Sequence, residues 1–383
     1  MNALTWPQII LGIFVQLWPV WAALTVMFGA SFAFRARLGL YGKLMGSRIG
    51  IIGLSVVMFW VFAGIFADQI IAFDPLAQLS GMKNKVPGTA LQDGSGHYLL
   101  GGDSLARDVF SRMIMGARDV LMIAPLATLF AFMVGITLGL PAGYFGGWSD
   151  RILSFLANLV LAFPVILLFY LLVTPEIEQT ALPGNLAGVL FLFPVIFVLE
   201  LINTKYRFDQ SRRMIYGAIA LVIGLWIYAG LAFDADPTGL ISMPGNILIV
   251  FVSVVFVNAP TVFRIVRGIV LDLKARDYVS AAQTRGEGPW YIMLWEILPN
   301  ARGPLIVDFC LRIGYTTILL GTLGFFGLGV SPESPDWGST INEGRRLLTI
   351  YPHPALAPAF ALMSLVFGLN LLADALREES LKD

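Results

Sequence analysis

Apolar residues occur along this chain in long, nearly uncharged runs. A helix that spans a bilayer needs about 20 apolar residues, and nine runs meet that need. Because backbone polar groups in lipid must be satisfied within the segment, each run predicts a helix. The fold class expected is therefore an all-α, polytopic helical membrane protein with about nine spans. The predicted spans are Trp6–Phe34, Ile49–Ala67, Val120–Gly143, Ile152–Val173, Leu182–Leu199, Met214–Phe233, Met243–Phe263, Pro304–Val330 and His353–Ala373.

The basic residues between these runs indicate an orientation. Cytoplasmic loops of membrane proteins carry an excess of Lys and Arg. With the loop after the first span in the cytoplasm, 17 of the 25 basic residues lie inside, seven lie outside, and Arg312 falls within a span. We therefore expect the N-terminus outside and the C-terminus in the cytoplasm. Residues 1–34 contain no Lys or Arg, so they lack the basic start of a signal peptide, and the first helix is expected to be retained.

Composition excludes several other classes. Hydrophobic residues make up 57% of the chain and charged residues 13%, about half the charged share of a soluble protein. Lys plus Arg and Asp plus Glu are balanced at 25 each, so no net charge recruits nucleic acid. One cysteine and two histidines, His97 and His353, leave no basis for a disulfide or a His/Cys metal site. We expect the chain to bind no metal.

The predicted cytoplasmic loop at residues 264–303 has a helix–break–helix pattern. Val266–Thr284 has the apolar spacing of an amphipathic helix, and the segment Gly286–Pro289 should end it. A second short helix is predicted from Trp290 and closed by Leu298-Pro299. Two short helices under the membrane could lie in a groove of a cytoplasmic partner.

The same loop contains Tyr278-Val279, then Ala281-Ala282 and Gly286, and ends with Ile297-Leu298-Pro299. This arrangement resembles the EAA loop of ABC importer permeases. Flanking motifs are similar to those of the dipeptide, oligopeptide and nickel permease group, over about residues 47–173 and 246–380. These motifs are His97-Tyr98-Leu99-Leu100-Gly101-Gly102-Asp103, Arg107-Asp108-Val109-Phe110-Ser111-Arg112, Gly116-Ala117-Arg118, Ala142–Gly147 with Asp150, Phe325–Val330 with Trp337-Gly338, and Asn370, Asp374 and Leu376-Arg377.

The resemblance implies a type I ABC importer transmembrane fold with a six-span core. In that arrangement, residues 1–46 are an additional N-terminal helix and a basic cytoplasmic loop, and 47–118 are the first core helix and an external loop. Residues 119–375 are the permease transmembrane domain, with a two-helix insertion at about 174–245, and 376–383 are a cytoplasmic tail. The implied location is the bacterial cytoplasmic (inner) membrane.

The resemblance also implies partners and site residues. The partners are a second homologous permease, two ATP-binding subunits and an external substrate-binding protein, besides the lipid bilayer. ATP and Mg would be bound by the partners, with no cofactor on this chain. The implied ATPase-coupling residues are Tyr278, Ser280, Ala281, Ala282, Gly286, Glu287, Leu298 and Pro299, and the implied external motif is Gly101, Asp103, Arg107, Asp108 and Trp337.

This sequence departs from the family pattern at several points. Ser280 stands where the EAA loop has its glutamate, so an ion pair with the ATPase surface is lost or replaced, with Glu287 as a candidate replacement. Ala106 stands where the external motif has glycine. Three helices are additional to the six-span core, and the sequence indicates no role for them.

Charged residues within spans are costly, at about 2.5–3.5 kcal/mol each on insertion scales. Asp308 and Arg312 lie four residues apart on one helix face, which makes them candidates for the pathway or a subunit interface. A stabilising pair near the cytoplasmic end is the simpler interpretation. Gly135 and Gly139 would allow close helix packing or form a hinge, and Trp337 would be an interfacial anchor or a docking point for an external protein.

Other classes of function are less consistent with the sequence. The chain contains no Gly-x-x-x-x-Gly-Lys-Ser/Thr loop, so ATP hydrolysis would need another chain. A multi-span membrane enzyme would need converging acids, bases or metal ligands, and Asp103, Asp108, Asp336 and Glu343 show no such motif spacing. A stand-alone secondary transporter would be expected to carry inverted repeats and more charge within its spans.

Overall fold

The structure is a computed structural model that describes residues 3–178, 180–241, 243–328 and 334–380. It divides into two compact units, one formed by residues 1–125 and 310–383 and the other by residues 126–309. The boundaries fall inside two long helices. The predicted span end at Val330, the motif residues Gly329-Val330 and Lys382 of the tail lie outside the described residues.

The first unit surrounds a core of aromatic and branched side chains, including Trp60, Phe110, Ile114, Trp337 and Leu365. A two-stranded antiparallel hairpin pairs Thr89 with Tyr98 in the segment that precedes the helix Val109–Phe145. The elements that begin in this unit are α1 (Trp6–Gln16), α2 (Trp18–Ala33), α3 (Gly39–Leu44), α4 (Arg48–Ile65), α5 (Ala67–Ile70), β1 (Thr89–Ala90), β2 (His97–Tyr98), α6 (Val109–Phe145), α18 (Trp337–Arg345) and α19 (His353–Ser380).

The regular elements described in the second unit are all helices, and they pack around Val262, Val266, Ile292, Met293 and Ile297. Its elements are α7 (Gly147–Leu161), α8 (Val165–Leu172), α9 (Pro175–Glu178), α10 (Leu182–Leu190), α11 (Leu192–Lys205), α12 (Gln210–Phe233), α13 (Gly245–Leu273), α14 (Asp277–Thr284), α15 (Pro289–Tyr291), a π-helical segment Ile292–Ile297, α16 (Leu298–Asn300) and α17 (Arg302–Phe325), which continues into the first unit.

The predicted membrane spans agree with the described helices. Seven helical segments are long and apolar enough to cross a bilayer, and two bent helix pairs raise the number to nine within the described residues. The first predicted span is the pair α1 and α2, bent by 56°, and the fourth is the pair α7 and α8, bent by 85°. The second bend precedes Pro164, because the residue before a proline disfavours helical backbone.

Two helices extend beyond the spans predicted for them. Helix α6 begins at Val109 rather than Val120, because Arg112 and Arg118, which interrupt the apolar run, find acidic partners within the protein. Helix α13 continues to Leu273, ten residues past the predicted end at Phe263, and so enters the predicted cytoplasmic loop directly.

Candidate functional site

The predicted cytoplasmic loop begins with a tight turn after α13. The predicted single helix Val266–Thr284 was wrong, because residues 274–276 separate α13 from α14. Lys274 holds this turn against α6 by donating from Nζ to the carbonyl oxygen of Gly143 at 2.9 Å. Along α14, Val279 and Ala282 are buried in the core of the second unit.

The other side of α14 is open to solvent. Ser280 and Ala281 are exposed, whereas Tyr278 is half-buried, packs on the core, and has its pKa raised by burial. Gln283 donates from Nε2 to the Tyr144 hydroxyl at 3.1 Å. The helix therefore has one solvent-exposed face, while its buried face is packed on the apolar core.

Gly286 ends α14 in the left-handed backbone conformation, with φ of +77°. The amide of Gly286 donates to Gln283, and that of Glu287 donates to Ala282 at 3.1 Å. These two bonds form a Schellman motif, which favours glycine at this position because a Cβ would strain the positive φ. The predicted stop at Gly286 is thus confirmed.

The second arm of the loop is a short, irregular helix. It starts at Pro289, runs through the π-helical segment Ile292–Ile297, and continues past Leu298-Pro299 to Asn300. The predicted closure at Leu298-Pro299 is therefore confirmed to within one residue. Proline has no N–H for the carbonyl four residues earlier, so it perturbs a helix, but the four buried side chains of the π segment hold this arm on the core.

Glu287 lies at the junction of the two arms and forms an ion pair with Arg207. The guanidinium of Arg207 lowers the pKa of Glu287. The arms are also joined directly, because Arg285 Nη2 binds Glu296 Oε1 at 2.8 Å. Sequence reasoning missed Arg207, which lies in the inserted segment and belongs to no family motif.

In the first unit, the external-motif residues form a buried ionic network. Gly101 has a φ of +80°, and its carbonyl oxygen accepts from the Val109 amide at the start of α6. Asp103 Oδ1 accepts from the backbone amide of Arg107 at 2.9 Å, while Asp103 Oδ2 accepts from Arg107 Nε at 2.7 Å. Asp103 and Arg107 are each 3% exposed, so this pair is a structural element of the unit.

Two residues of α18, Thr340 and Glu343, join this network. Glu343 of α18 binds Arg107, and its Oε2 lies 3.4 Å from Nη2 of the fully buried Arg112. Arg112 also donates to Thr340 at 3.1 Å. The motif contained Arg112, but no sequence spacing relates Glu343 to it.

Asp108 belongs to the same motif and is 2% exposed. Its Oδ2 accepts from the Ser111 amide at 2.9 Å and from the Ser111 hydroxyl at 2.6 Å. Burial raises the pKa of Asp108 to about 6 despite these bonds, and the nearby Asp103 charge adds to the rise.

Trp337 is completely buried, so it is neither an interfacial anchor nor an exposed docking point. Its Nε1 donates to the Met113 carbonyl oxygen at 2.8 Å, and its ring meets that of Trp60 edge-on with centroids 5.2 Å apart. Both expectations failed because an external loop was taken to be exposed, whereas α18 packs into the core.

Asp308 and Arg312 both lie on α17, where Asp308 is half-buried and Arg312 is 7% exposed. Both follow the 264–303 loop in the sequence. Among the described residues, no group of three His, Cys, Asp or Glu side chains could hold a metal ion. The Nε2 atom of His353 lies 3.3 Å from the carbonyl oxygen of Gly102.

Residues 135–379 match the family described as the binding-protein-dependent transport system inner membrane component. The chain belongs to this family. The family resemblance drawn from its motifs is therefore confirmed, and the permease is a multi-pass protein of the inner membrane with the all-α fold of ABC importer permeases.

Curated relatives agree with this assignment over most of their length. The glutathione transport system permease protein of Pectobacterium atrosepticum is 32% identical over 83% of this chain and 85% of the relative. The dipeptide transport system permease proteins of Alkalihalophilus pseudofirmus and Haemophilus influenzae are each 27% identical, over 88% and 87% of this chain and 87% and 90% of the relatives. By name, all three are transport subunits.

Proposed function

We propose that this permease forms half of the translocation pathway of an ATP-driven importer of peptides or similar small solutes. It would pair with a second homologous permease and receive substrate from an external binding protein. Two partner subunits would bind ATP and Mg and carry out the hydrolysis, so this chain would bind no cofactor and have no catalytic residue. The N-terminus would be outside and the C-terminus in the cytoplasm.

The observation that carries the proposal is the construction of the 264–303 loop. The exposed side of α14, with Ser280 and Ala281, could enter a groove of an ATP-binding subunit, while Val279 and Ala282 hold it to the permease. Because Ser280 replaces the family glutamate, recognition here would depend on helix shape and on neighbouring polar groups rather than on that carboxylate.

The packing of α13 indicates how movement of this loop could reach the pathway. A Cβ placed on Gly135, Gly139 or Gly143 of α6 would lie 2.6–2.9 Å from Val262, Val266 or Val270 of α13. Small residues let the two helix backbones approach closely, and such closely packed helices would move together. Closure of two ATP-binding subunits would draw the two coupling loops together and carry α13 and its neighbour with them, which would switch the pathway from inward-open to outward-open.

The substrate assignment is supported by the relatives' names, which specify glutathione and dipeptides. Both are short peptides, so a short peptide is the substrate class proposed here. In such systems the external binding protein would select the substrate, and the permease would provide a passage of suitable width.

The proposal is tested by deleting residues 287–298 from a tagged, full-length permease produced with its partners. Mild-detergent affinity purification with mass spectrometry should recover a second permease and ATP-binding subunits with the unaltered chain. The deletion should retain the second permease and lose the ATP-binding subunits. An intact complex after the deletion would contradict the coupling assignment, and an unaltered chain that always purifies alone would favour a stand-alone transporter.

A further inference from the structure

The inserted helices α10, α11 and α12 expose most of their apolar side chains, yet one end of this hairpin is joined to the coupling loop. Phe197 and Leu201 of α11 pack against the core formed by Val279 of α14 and by Ile292 and Met293 of the second arm. The insertion therefore contributes to the same apolar core that holds both arms of the loop.

A hydrogen bond at the end of α11 adds a directional contact. Trp295 donates from Nε1 to the hydroxyl oxygen of Thr204 at 2.9 Å. That hydroxyl in turn donates to the Glu200 carbonyl oxygen at 2.7 Å, which fixes its orientation. Thr204 is 7% exposed, so the bond is sheltered from water.

The third contact comes from Arg207, in the short link between α11 and α12. Its guanidinium carbon lies 4.3 Å from the ring centroid of Tyr291 and 4.3 Å from that of Phe208, both within the range of cation–π attraction. The same guanidinium forms the ion pair with Glu287. Arg207 thus contacts the junction of the loop and the start of its second arm.

At the junction of the two arms, Glu287 is the side chain that reaches the insertion. Glu287 stands between Gly286 and Gly288, and a Cβ on either glycine would meet no atom within 4 Å. Glycine allows a wide range of backbone angles, so the bonds of the Glu287 side chain add to the Schellman motif and to the shared apolar core in holding the two arms. Arg285–Glu296 ties the arms to each other, whereas Arg207–Glu287 ties the junction to the insertion.

We propose that the hairpin of residues 182–233 is an internal brace that sets the angle between the two arms of the coupling loop, with Arg207 as the positioning residue for Glu287. Glu287 is therefore engaged within this chain and does not replace the missing family glutamate on the ATPase surface. The structural part of the proposal stands on these contacts, and its consequence for ATP hydrolysis rests on the proposed function.

The test compares the full chain, produced with its partners, with the variants Arg207→Gln, Glu287→Gln and the exchanged pair Arg207→Glu with Glu287→Arg. Arg212→Gln is the matched control, because Arg212 lies in the same segment but pairs with Asp209 at 3.1 Å rather than with the loop. Hydrogen–deuterium exchange of residues 285–291 reports the brace directly, and the ATPase rate of the purified complex reports its consequence.

Arg207→Gln should increase exchange of residues 285–291 roughly three- to ten-fold, the effect of losing one partly exposed ion pair with its ring contacts, and Glu287→Gln should have a smaller effect in the same direction because Arg207 keeps its ring contacts. Each single variant should also lower the ATPase rate while the ATP-binding subunits stay bound, and the exchanged pair should restore both readouts at least in part. Unchanged exchange in Arg207→Gln, or an equal change in Arg212→Gln, would overturn the brace.

The two proposals fail in different ways. If the unaltered chain retains no ATP-binding subunit, the proposed function fails, while the exchange measurement still decides whether the brace exists. If the subunits bind and exchange increases but the ATPase rate stays the same, the positioning role of Arg207 is contradicted and the proposed function is unaffected.

Discussion

Arg107 and Glu343 form an ion pair although 236 residues separate them in the sequence. The pair joins the segment before α6 to α18, and Arg107 also binds Asp103 at 2.7 Å. Arg107 is 3% exposed and Glu343 26% exposed, so one partner is shielded from water and the other is only partly shielded. An uncompensated buried charge is strongly destabilising, so this contact should contribute to the stability of the unit.

Glu343→Gln should therefore lower the free energy of unfolding by about 1–3 kcal/mol, less than for a fully buried pair because Glu343 is partly exposed. Two buried guanidinium groups, those of Arg107 and Arg112, would be left with fewer acidic partners. Thermal unfolding of the purified chain in detergent measures the change. Lys83→Gln removes an exposed charge of the segment before α6 and serves as the control, and equal stability of the two variants would contradict the network's importance.

The buried carboxyl of Asp108 should make stability depend on pH. Burial raises its folded-state pKa to about 6 from the ordinary 3.8, so the folded protein holds a proton that the unfolded chain releases between those values. Stability from this group is therefore fully present below about pH 4 and is lost as pH rises to about 6. Each pKa unit corresponds to about 1.4 kcal/mol, so the loss is about 3 kcal/mol at most.

Asp108→Asn removes this titration while keeping an oxygen acceptor for Ser111. The variant should match the unaltered chain near pH 4 and be more stable near pH 7.5. The free energy of unfolding of both proteins is measured by denaturation at each pH in this range. The difference between the two values isolates the contribution of Asp108 from that of the other carboxyls. A constant difference between the two proteins at all pH values would show that Asp108 does not titrate in this window.

Close approach of α6 and α13 should make Gly135 intolerant of a side chain. Gly135→Ala would place a Cβ 2.6 Å from Val262 and 2.9 Å from the Phe263 amide, so the helices must separate. We expect a loss of about 1–3 kcal/mol in unfolding free energy, typical of overpacking. Gly217→Ala on α12, where a Cβ meets nothing within 4 Å, should be neutral or stabilising. Similar unfolding midpoints for both variants would contradict this packing.

The orientation proposed from basic residues predicts which cysteines can be labelled from outside. In a Cys310→Ser background, a membrane-impermeant maleimide should label Asp93→Cys on intact cells. Ser280→Cys should be labelled only after the membrane is permeabilised. Both positions are exposed in the structure, so a difference in labelling reports the side of the membrane. The reverse pattern would invert the topology.

The spans were predictable because their apolar character is continuous along the sequence. The start of α6 was not predictable from the sequence. A charged residue such as Arg112 interrupts an apolar run, and its partners Glu343 and Thr340 become known only from the structure. Close helix packing at Gly135 and Gly139 was predictable because small residues four apart share a helix face, whereas the identity of the packing partner, α13, was not.

Some features of the candidate site could be predicted from the family motifs, and others could not. The glycine stop of α14 was predictable from local backbone chemistry at Gly286. The partner of Glu287 was not, because Arg207 lies in an insertion outside those motifs and meets the loop only through folding. The burial of Trp337 likewise depends on α18 packing into the core, which no local pattern reports.

The central claim, that the exposed face of α14 couples this permease to an ATPase, is tested most directly by cross-linking in native membranes. A cysteine at Ser280, in the Cys310→Ser background, would carry a short photoactivatable cross-linker, with Thr238→Cys in the link after α12 as the control. We predict that the Ser280 position forms a specific product with an ATP-binding subunit and the Thr238 position does not. Equal products at both positions, or none at Ser280 in a membrane that holds the assembled complex, would contradict the account.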